Sequence, residues 1–266
     1  MLRDDGHQPA GDAKVLVEWA GPVTTIVLNR PDQRNAVDGE TAALLHQAFV
    51  DFEADDSARV AVLCGAGQSF CAGYDLKALS AGGLDDHPDA RGPMGPSRMA
   101  MTKPVIAAIE GHAVAGGLEL ALLCDLRVAA DTAIFGVFCR RWGVPLIDGG
   151  TVRLPRIVGQ GRALDMILTG RPVDAREALS FGLANRVVPT GTARAAAEQM
   201  ALEISRFPQS CMRGDRQSAY EQWSLPVADS LRHEAALGAT ARRGEAETGA
   251  SRFASGKGRG GTFENL

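Results

Sequence analysis

The sequence predicts an α/β core followed by a C-terminal helical region. Short β-branched and apolar runs that indicate strands are concentrated before residue 140, where they alternate with helical patterns. Helical periodicity dominates after that point, up to a tail rich in Gly, Lys and Arg at Ser251–Gly261. Hydrophobic residues make up 45% of the 266 residues, so a core can form without disulfides or a metal ion.

The first predicted elements are a β-hairpin and a helix. Val15–Glu18 and Val23–Leu28 are β-branched runs separated by a Gly-Pro turn, which is typical of a hairpin. From Asp38 to Asp51, apolar residues recur at the spacing of an amphipathic helix. Val60–Leu63 and Val105–Ile109 are continuous apolar runs, which predict buried strands.

In the second half of the core, the sequence predicts shorter elements and one long loop. Ser80–Pro96 is rich in Gly, Pro and Asp and poor in apolar residues, and we expect it to be a mobile loop. A helix is predicted from about Gly116 to Cys124. The further predicted strands are Leu126–Ala129 and Ile134–Phe135, and the later predicted helices cover Leu154–Val158, Ala163–Leu168, Ala175–Phe181, Ala193 to about Arg206, and Asp215–Gly249.

Composition excludes several classes of function. The net charge of −4 gives no reason to expect nucleic-acid binding. The apolar stretches are too short for membrane insertion, and the polar N-terminus does not resemble a signal peptide. Five cysteines without a CxxC pair indicate reduced thiols, so we expect a cytoplasmic protein. No cluster has metal-ligand spacing and no dinucleotide fingerprint is complete, so we expect neither a metal nor NAD.

Two glycine-containing segments follow buried strands and are the first candidates for a site. They are Ser69–Leu76 and Gly111–Glu119. Glycine lets a ligand approach the backbone closely, and a turn that opens a helix presents free N–H groups to an anion. If the two segments converge, their N–H groups can stabilise the oxygen of a thioester as it gains enolate charge.

Four motifs occur in the order and spacing of a known family. They are Asn29-Arg30-Pro31 with Asn35-Ala36, Phe70–Leu76, Gly111–Leu120, and Cys124–Arg127 with Leu168-Thr169-Gly170. Over about Val15 to Phe253 the chain resembles the crotonase superfamily, the enoyl-CoA hydratase/isomerase family. The resemblance implies a crotonase-like spiral of ββα units and a C-terminal helical trimerisation region. It divides the chain into a flexible tail (1–14), the spiral core (15–195), and the C-terminal helices with the basic tail (196–266).

The same resemblance implies roles for individual residues. The backbone N–H groups of Tyr74 and Gly116 would form an oxyanion hole, and Glu119 would be an acid/base on water. Alternatively, Glu119 compensates the N-terminus of its helix. Lys257 would reach a coenzyme A phosphate on a neighbouring subunit of a homotrimer or hexamer, or is a solvated lysine of the tail. The residues that would line the coenzyme A groove are Arg34, Ala36, Ala72, Asp75 and Leu76.

The chain departs from the hydratase pattern at one position. Hydratases of this family carry a second glutamate twenty residues after the first, where this chain has Cys139. A thiol is a poor substitute for a carboxylate that must move a proton. Asp148 offers another carboxylate, as in branches that isomerise or dehalogenate acyl-CoA substrates, or it is a helix N-cap before Thr151–Val158.

The sequence therefore predicts an enzyme that acts on an acyl-CoA thioester and needs no cofactor of its own. The principal hypothesis is hydration of a 2-enoyl-CoA, with Glu119 as the acid/base. An enoyl-CoA isomerase or another enolate reaction that uses Asp148 is the alternative among enzymes. A third hypothesis is a protein that binds acyl-CoA without catalysis.

Overall fold

The computed structural model describes residues 13–84, 87 and 91–263. Residues 1–12 of the predicted N-terminal tail lie outside the described residues. The same is true of residues 85, 86 and 88–90 in the predicted loop Ser80–Pro96, and the mobility of this loop stays a prediction.

The N-terminal hairpin opens a six-stranded sheet. β1 (Val15–Ala20) pairs antiparallel with β2 (Val23–Leu28), as predicted. The four remaining strands add in parallel, in the order β3 (Val60–Gly65), β4 (Val105–Ile109), β6 (Leu126–Ala130) and β9 (Arg186–Val188). All residues of β2 and β4 are buried, because this part of the sheet is covered on both faces.

A second, smaller sheet has three short strands. It contains β5 (His112–Val114), β7 (Ile134–Gly136) and β8 (Val173–Asp174). The sequence analysis did not identify β5, β8 or β9. Each has only two or three residues, which is too short for a periodic signal.

Helices pack on both faces of the large sheet. On one face, α1 (Gly39–Ala54) buries Leu45, Phe49 and Phe52 in the main core. Asp38 caps this helix by accepting a hydrogen bond from the Thr41 N–H at 2.8 Å. On the other face, α7 (Ala193–Ser205) packs small residues against β2, β3 and β4. The predicted division at residue 195 falls inside α7, and this division stays a prediction.

Five further helices connect the strands and surround the site. They are α2 (Leu76–Ser80), α3 (Gly116–Leu123), α4 (Gly150–Val158), α5 (Gln160–Thr169) and α6 (Ala175–Phe181). Every residue of α3 is buried, so this helix runs through the interior of the core.

The C-terminal region is helical but is not one helix. α8 (Gln209–Glu221) and α9 (Val227–Ala241) are separate, and a π-helical turn joins α9 to α10 (Glu247–Ala254). The prediction of continuous helix over Asp215–Gly249 is wrong between α8 and α9, because Pro226 has no N–H to continue the hydrogen-bond ladder. Of the described residues in α8, α9 and α10, only Ala241 is buried.

Candidate active site

The two glycine-containing segments, Ser69–Leu76 and Gly111–Glu119, converge in the folded protein. Cys71 accepts a hydrogen bond from the Val114 N–H at 3.1 Å, and its own N–H donates to the His112 carbonyl at 2.9 Å. A Cβ on Gly117 would lie 2.1 Å from the Cys71 carbonyl oxygen, so the two backbones leave no space for a side chain there. The glycine is needed because the segments are in direct contact.

Tyr74 and Gly116 lie at this junction. A Cβ on Gly73, which has φ +100°, would lie 2.9 Å from Gly116 N. Gly116 is the first residue of α3, so its N–H has no acceptor within the helix. Gly73 and Asp75 both hydrogen-bond to Val37, which turns the intervening Tyr74 N–H away from Val37.

Ala115 holds an unfavourable backbone conformation just before Gly116. Its φ is +54° and its ψ is −126°, in a region that residues other than glycine rarely adopt. Such a conformation costs about 1–3 kcal/mol, and tertiary contacts maintain it. The Ala115 N–H donates to the Gly136 carbonyl at 2.9 Å, so β7 contributes to holding the turn.

A cavity of about 480 Å³ opens at this junction. Glu119, Cys139 and Asp148 all contribute to its wall. The predicted residues Arg34, Ala72, Tyr74, Leu76 and Gly116 line it as well, together with Leu79, Leu84, Pro93, Met94, His112, Val114, Ala115, Phe138, Arg141, Trp142, Val144, Pro145 and Ile147.

Glu119 is a buried carboxylate on α3. Its Oε1 accepts hydrogen bonds from the Asp148 N–H at 2.9 Å and the Gly150 N–H at 2.8 Å. Burial raises the pKa of Glu119 to about 7, and the negative charge of Asp148 adds to this effect. Near neutral pH the side chain can therefore both accept and donate a proton.

Asp148 is buried beside Glu119 and makes contacts that the sequence did not predict. Its Oδ1 accepts hydrogen bonds from the Met94 N–H at 3.0 Å and from the Ser97 hydroxyl. The hypothesis that Asp148 caps α4 is wrong: the N-cap residue is Gly149, and no side chain caps this helix. Burial raises the pKa of Asp148, although these hydrogen bonds and two arginines oppose the shift.

Cys139 occupies the position of the missing glutamate and is buried in the cavity wall. Burial raises the pKa of its thiol, and the charge of Glu119 contributes in the same direction. The charge of Arg140 opposes this shift, but both neighbouring arginines have other partners. Arg140 Nε donates to the Ile167 carbonyl at 3.0 Å, and the Arg141 guanidinium stacks on the Phe138 ring at 4.7 Å. The thiol is therefore neutral near pH 7.

Three of the predicted coenzyme A contacts lie outside the cavity wall. The Asp75 carboxylate caps α2 and pairs with Arg30 at 3.2 Å. The Ala36 carbonyl accepts a hydrogen bond from the same arginine. Lys257 is exposed and does not line this cavity in its own chain.

The sequence analysis did not identify Met94, Ser97 and Arg153 as part of the site. Arg153 donates to the Asp148 carbonyl at 2.9 Å and to the Ser97 carbonyl at 2.7 Å. The available signal was one apolar residue, Met94, between the glycines and prolines of a polar segment. That pattern does not reveal that Met94 is fully buried.

Neither a metal-binding cluster nor a membrane-spanning helix is found in the described part of the chain. No group of three or more His, Cys, Asp or Glu side chains there is arranged to hold a metal ion. Within the same residues, no helix combines the length and apolar content needed to cross a membrane.

Comparisons with known proteins identify the family. A family model described as enoyl-CoA hydratase/isomerase matches residues 18–255. "Enoyl-CoA hydratase EchA19" of Mycobacterium tuberculosis is 36% identical over 84% of this chain and 86% of its own length. A "Carnitinyl-CoA dehydratase" of Citrobacter koseri is 35% identical over 80% of this chain and 82% of its own.

Solved structures agree with the sequence comparisons. The enoyl-CoA hydratase EchA1 of Mycobacterium marinum superimposes with a TM-score of 0.86 at 33% identity, over 91% of this chain and 96% of that one. The enoyl-CoA hydratase of Bacillus anthracis gives 0.83 at 30% identity, over 91% and 96% of the two chains. The predicted crotonase-like α/β fold with a helical C-terminal region is confirmed. The chain belongs to the enoyl-CoA hydratase/isomerase family of the crotonase superfamily.

Proposed function

We propose that this enzyme hydrates a 2-enoyl-CoA thioester and catalyses the reverse dehydration. The observation that carries the proposal is Glu119, a buried carboxylate with a pKa of about 7, in the same cavity wall as Tyr74 and Gly116. Hydration needs a group that takes a proton from water and a second interaction that stabilises the resulting enolate. This cavity offers both.

The Tyr74 and Gly116 backbone N–H groups are the proposed oxyanion hole. The thioester oxygen gains negative charge when water adds to the β-carbon, and both donors would then bind an oxyanion. Gly116 begins the buried helix α3, whose dipole favours negative charge at that end. Loss of one such donor typically costs about 3 kcal/mol of transition-state stabilisation.

Glu119 is the proposed acid/base for both proton transfers. Its carboxylate takes a proton from water as the water oxygen bonds to the β-carbon, and it then returns that proton to the α-carbon of the enolate. Cys139 is neutral near pH 7, because burial raises the pKa of its thiol, so it does not supply a second carboxylate-like base. One carboxylate thus performs the work that a pair shares elsewhere in the family.

The coenzyme A portion is proposed to enter beside Arg34, Ala72 and Leu76, which line the cavity. Ala36 and Asp75 would act by shaping this entrance through their contacts with Arg30. We propose no separate cofactor, since acid/base chemistry and enolate stabilisation suffice for hydration.

The proposed assembly is a homotrimer or hexamer formed through the C-terminal helices. α9 exposes Val227 and Leu231 at 77% and 60% of their surface, and α10 exposes Phe253 at 61%. Burying these apolar side chains between subunits would favour association. Lys257 would then approach a coenzyme A phosphate in a neighbouring subunit. We propose that the enzyme works in the cytoplasm, which agrees with its free, mostly buried cysteines.

The direct test is hydration of 2-enoyl-CoA substrates, followed by the loss of ultraviolet absorbance of the conjugated thioester. Glu119→Gln should lower kcat by about 10²–10⁴-fold. Glu110→Gln is the matched control, because the Glu110 carboxylate also accepts backbone N–H donors, from Gly191 and Ala193, but does not line the cavity. A wild-type enzyme that binds enoyl-CoA without hydrating it would refute the proposed function.

A double-bond isomerase is the second candidate, because the buried carboxylate of Asp148 lines the same cavity and has a raised pKa. Isomerisation requires a base that removes a proton from one carbon and returns it to another. A 3-enoyl-CoA substrate distinguishes the two reactions. Conversion to the conjugated 2-enoyl product at a rate above that of hydration would favour the isomerase.

A further inference from the structure

Asp148 lies where three segments of the site meet. Its backbone N–H donates to Glu119 Oε1 at 2.9 Å, while its side-chain Oδ1 accepts from Met94 and Ser97. It immediately precedes Gly149, the N-cap residue of α4. One residue therefore connects the acid/base of α3 to a segment more than fifty positions earlier in the chain.

The segment from Gly92 to Ser97 forms part of the acyl cavity wall through Pro93 and Met94. Met94 is fully buried, and a Cβ on Gly116 would lie 2.5 Å from its sulfur atom. Met94 thus packs directly against the residue whose N–H is proposed to bind the thioester oxygen. A shift of this segment would change both the space for the acyl chain and the support of that donor.

The Asp148 carboxylate lies in a confined space where the Gly92–Ser97 segment meets the start of α4. Gly92 has φ +90°, and a Cβ there would lie 2.7 Å from Asp148 Oδ1 and 2.4 Å from Ser97 Oγ. Arg153 also connects these two segments, since its guanidinium donates to the Asp148 and Ser97 carbonyls. Hydrogen bonds through the Asp148 carboxylate and through the Arg153 guanidinium therefore join the same two segments.

We propose that Asp148 is a positioning residue: its carboxylate ties the Gly92–Ser97 segment to the start of α4, keeps Met94 against Gly116, and thereby sets which acyl groups fit. The consequences for catalysis rest on the proposed function, whereas the tie itself does not. A catalytic base needs a carboxylate that can exchange a proton with substrate. A tie needs only an oxygen that accepts the Met94 and Ser97 hydrogen bonds, which an amide oxygen also provides.

Two substitutions of Asp148 separate these roles. Asp148→Asn keeps an acceptor oxygen but removes the carboxylate, whereas Asp148→Ala removes the acceptor. We expect kcat to fall less than about tenfold in Asp148→Asn, in contrast to the loss of about 10²–10⁴-fold that follows removal of a catalytic base. In Asp148→Ala we expect a larger loss, and a ratio of kcat/KM between long and short acyl chains that changes at least about fivefold.

Hydrogen exchange of the Met94 amide measures the tie without any substrate. We expect exchange at least about tenfold faster than wild type in Asp148→Ala and within about threefold of wild type in Asp148→Asn. Asp131→Ala is the matched control, because the Asp131 carboxylate accepts the N–H and hydroxyl of Thr190 in the same manner. It should accelerate exchange at Thr190 and leave Met94 unchanged.

The pH profile gives a further readout that a structural role alone would not move. The charged and titratable groups that act on Glu119 are Asp148 and Arg153, and Cys139 shares its cavity wall. Loss of the Asp148 charge should lower the pKa of Glu119, so the acidic limb of kcat/KM should move to lower pH in Asp148→Asn.

The outcomes decide between the roles. If Asp148→Asn loses as much activity as Glu119→Gln while hydrogen exchange at Met94 stays normal, Asp148 is a catalytic residue and the proposal is overturned. Unchanged Met94 exchange in Asp148→Ala would also overturn it. If wild type hydrates no enoyl-CoA, the proposed function fails, and the exchange measurements still decide whether the tie exists.

Discussion

Replacing Glu119 by Gln tests both the catalytic role of this carboxylate and the effect of its burial on the free energy of unfolding. Gln keeps an oxygen that can accept the Asp148 and Gly150 N–H groups, so the fold should be retained. It cannot ionise, so it cannot take a proton from water. The substitution should therefore abolish most hydratase activity and also change how the stability of the protein depends on pH.

The size of the stability effect follows from the pKa of Glu119. Its pKa rises from an ordinary value of 4.5 to about 7 in the folded protein, mainly because of burial. Below pH 4.5 the group is protonated in both the folded and unfolded states and has no effect. Between pH 4.5 and about 7 the unfolded state ionises first, so folding loses stability as the pH rises. Well above pH 7 the free energy of unfolding is lower by about 3 kcal/mol, because each pKa unit corresponds to about 1.36 kcal/mol.

The assay is urea unfolding at a fixed protein concentration, at several pH values, for wild type and Glu119→Gln. We expect the free energy of unfolding of the variant to gain about 3 kcal/mol relative to wild type between pH 4.5 and well above pH 7. Comparison across pH removes any constant effect of the amide. Parallel pH dependence in the two proteins would refute the claim that Glu119 is held with a raised pKa, and a wild-type hydratase rate in the variant would refute its catalytic role.

Three further predictions concern neighbouring features. Gly116→Ala should lower kcat at least about tenfold and destabilise the protein by about 1–3 kcal/mol, because the new Cβ would collide with the Met94 sulfur. Gly161→Ala is the control, because the space around Gly161 is open. An active and stable Gly116→Ala variant would contradict the prediction. Cys139→Ser should keep kcat within about threefold, since a neutral thiol is not a base, and a loss above about a hundredfold would show that it is. Lys257→Ala should raise KM for enoyl-CoA without lowering kcat. Light scattering of the wild-type protein should give three or six times the chain mass of 28.0 kDa. A monomeric protein would exclude the role of Lys257 in a neighbouring subunit.

Local sequence signals predicted the parts of the site that are built from short, contiguous segments. The glycines around Tyr74 and Gly116 indicated two backbone turns, and the structure brings these turns into contact. Helix α1 followed from the helical spacing of its apolar residues. These features depend on interactions within a few residues, so a linear pattern is enough to reveal them.

The role of Asp148 could not be predicted in the same way. The sequence allowed a catalytic carboxylate or a helix N-cap, because both place Asp just before a helix. In the folded protein its Oδ1 accepts hydrogen bonds from Met94 and Ser97, which lie in a segment without a readable pattern. The Met94 and Ser97 donors came within reach of the Asp148 carboxylate only once these distant segments were adjacent.

Taken by itself, the sequence determined the family, the α/β core, the helical C-terminal region and the two turns that contain Tyr74 and Gly116. The tertiary structure decided the electrostatics. It buried Glu119 beside Asp148 and raised its pKa, and it left the Cys139 thiol neutral although two arginines follow it in sequence. The physical reason is that a pKa depends on desolvation and on charges nearby in space. Here both are supplied by segments that lie 29 to 31 positions apart in the sequence.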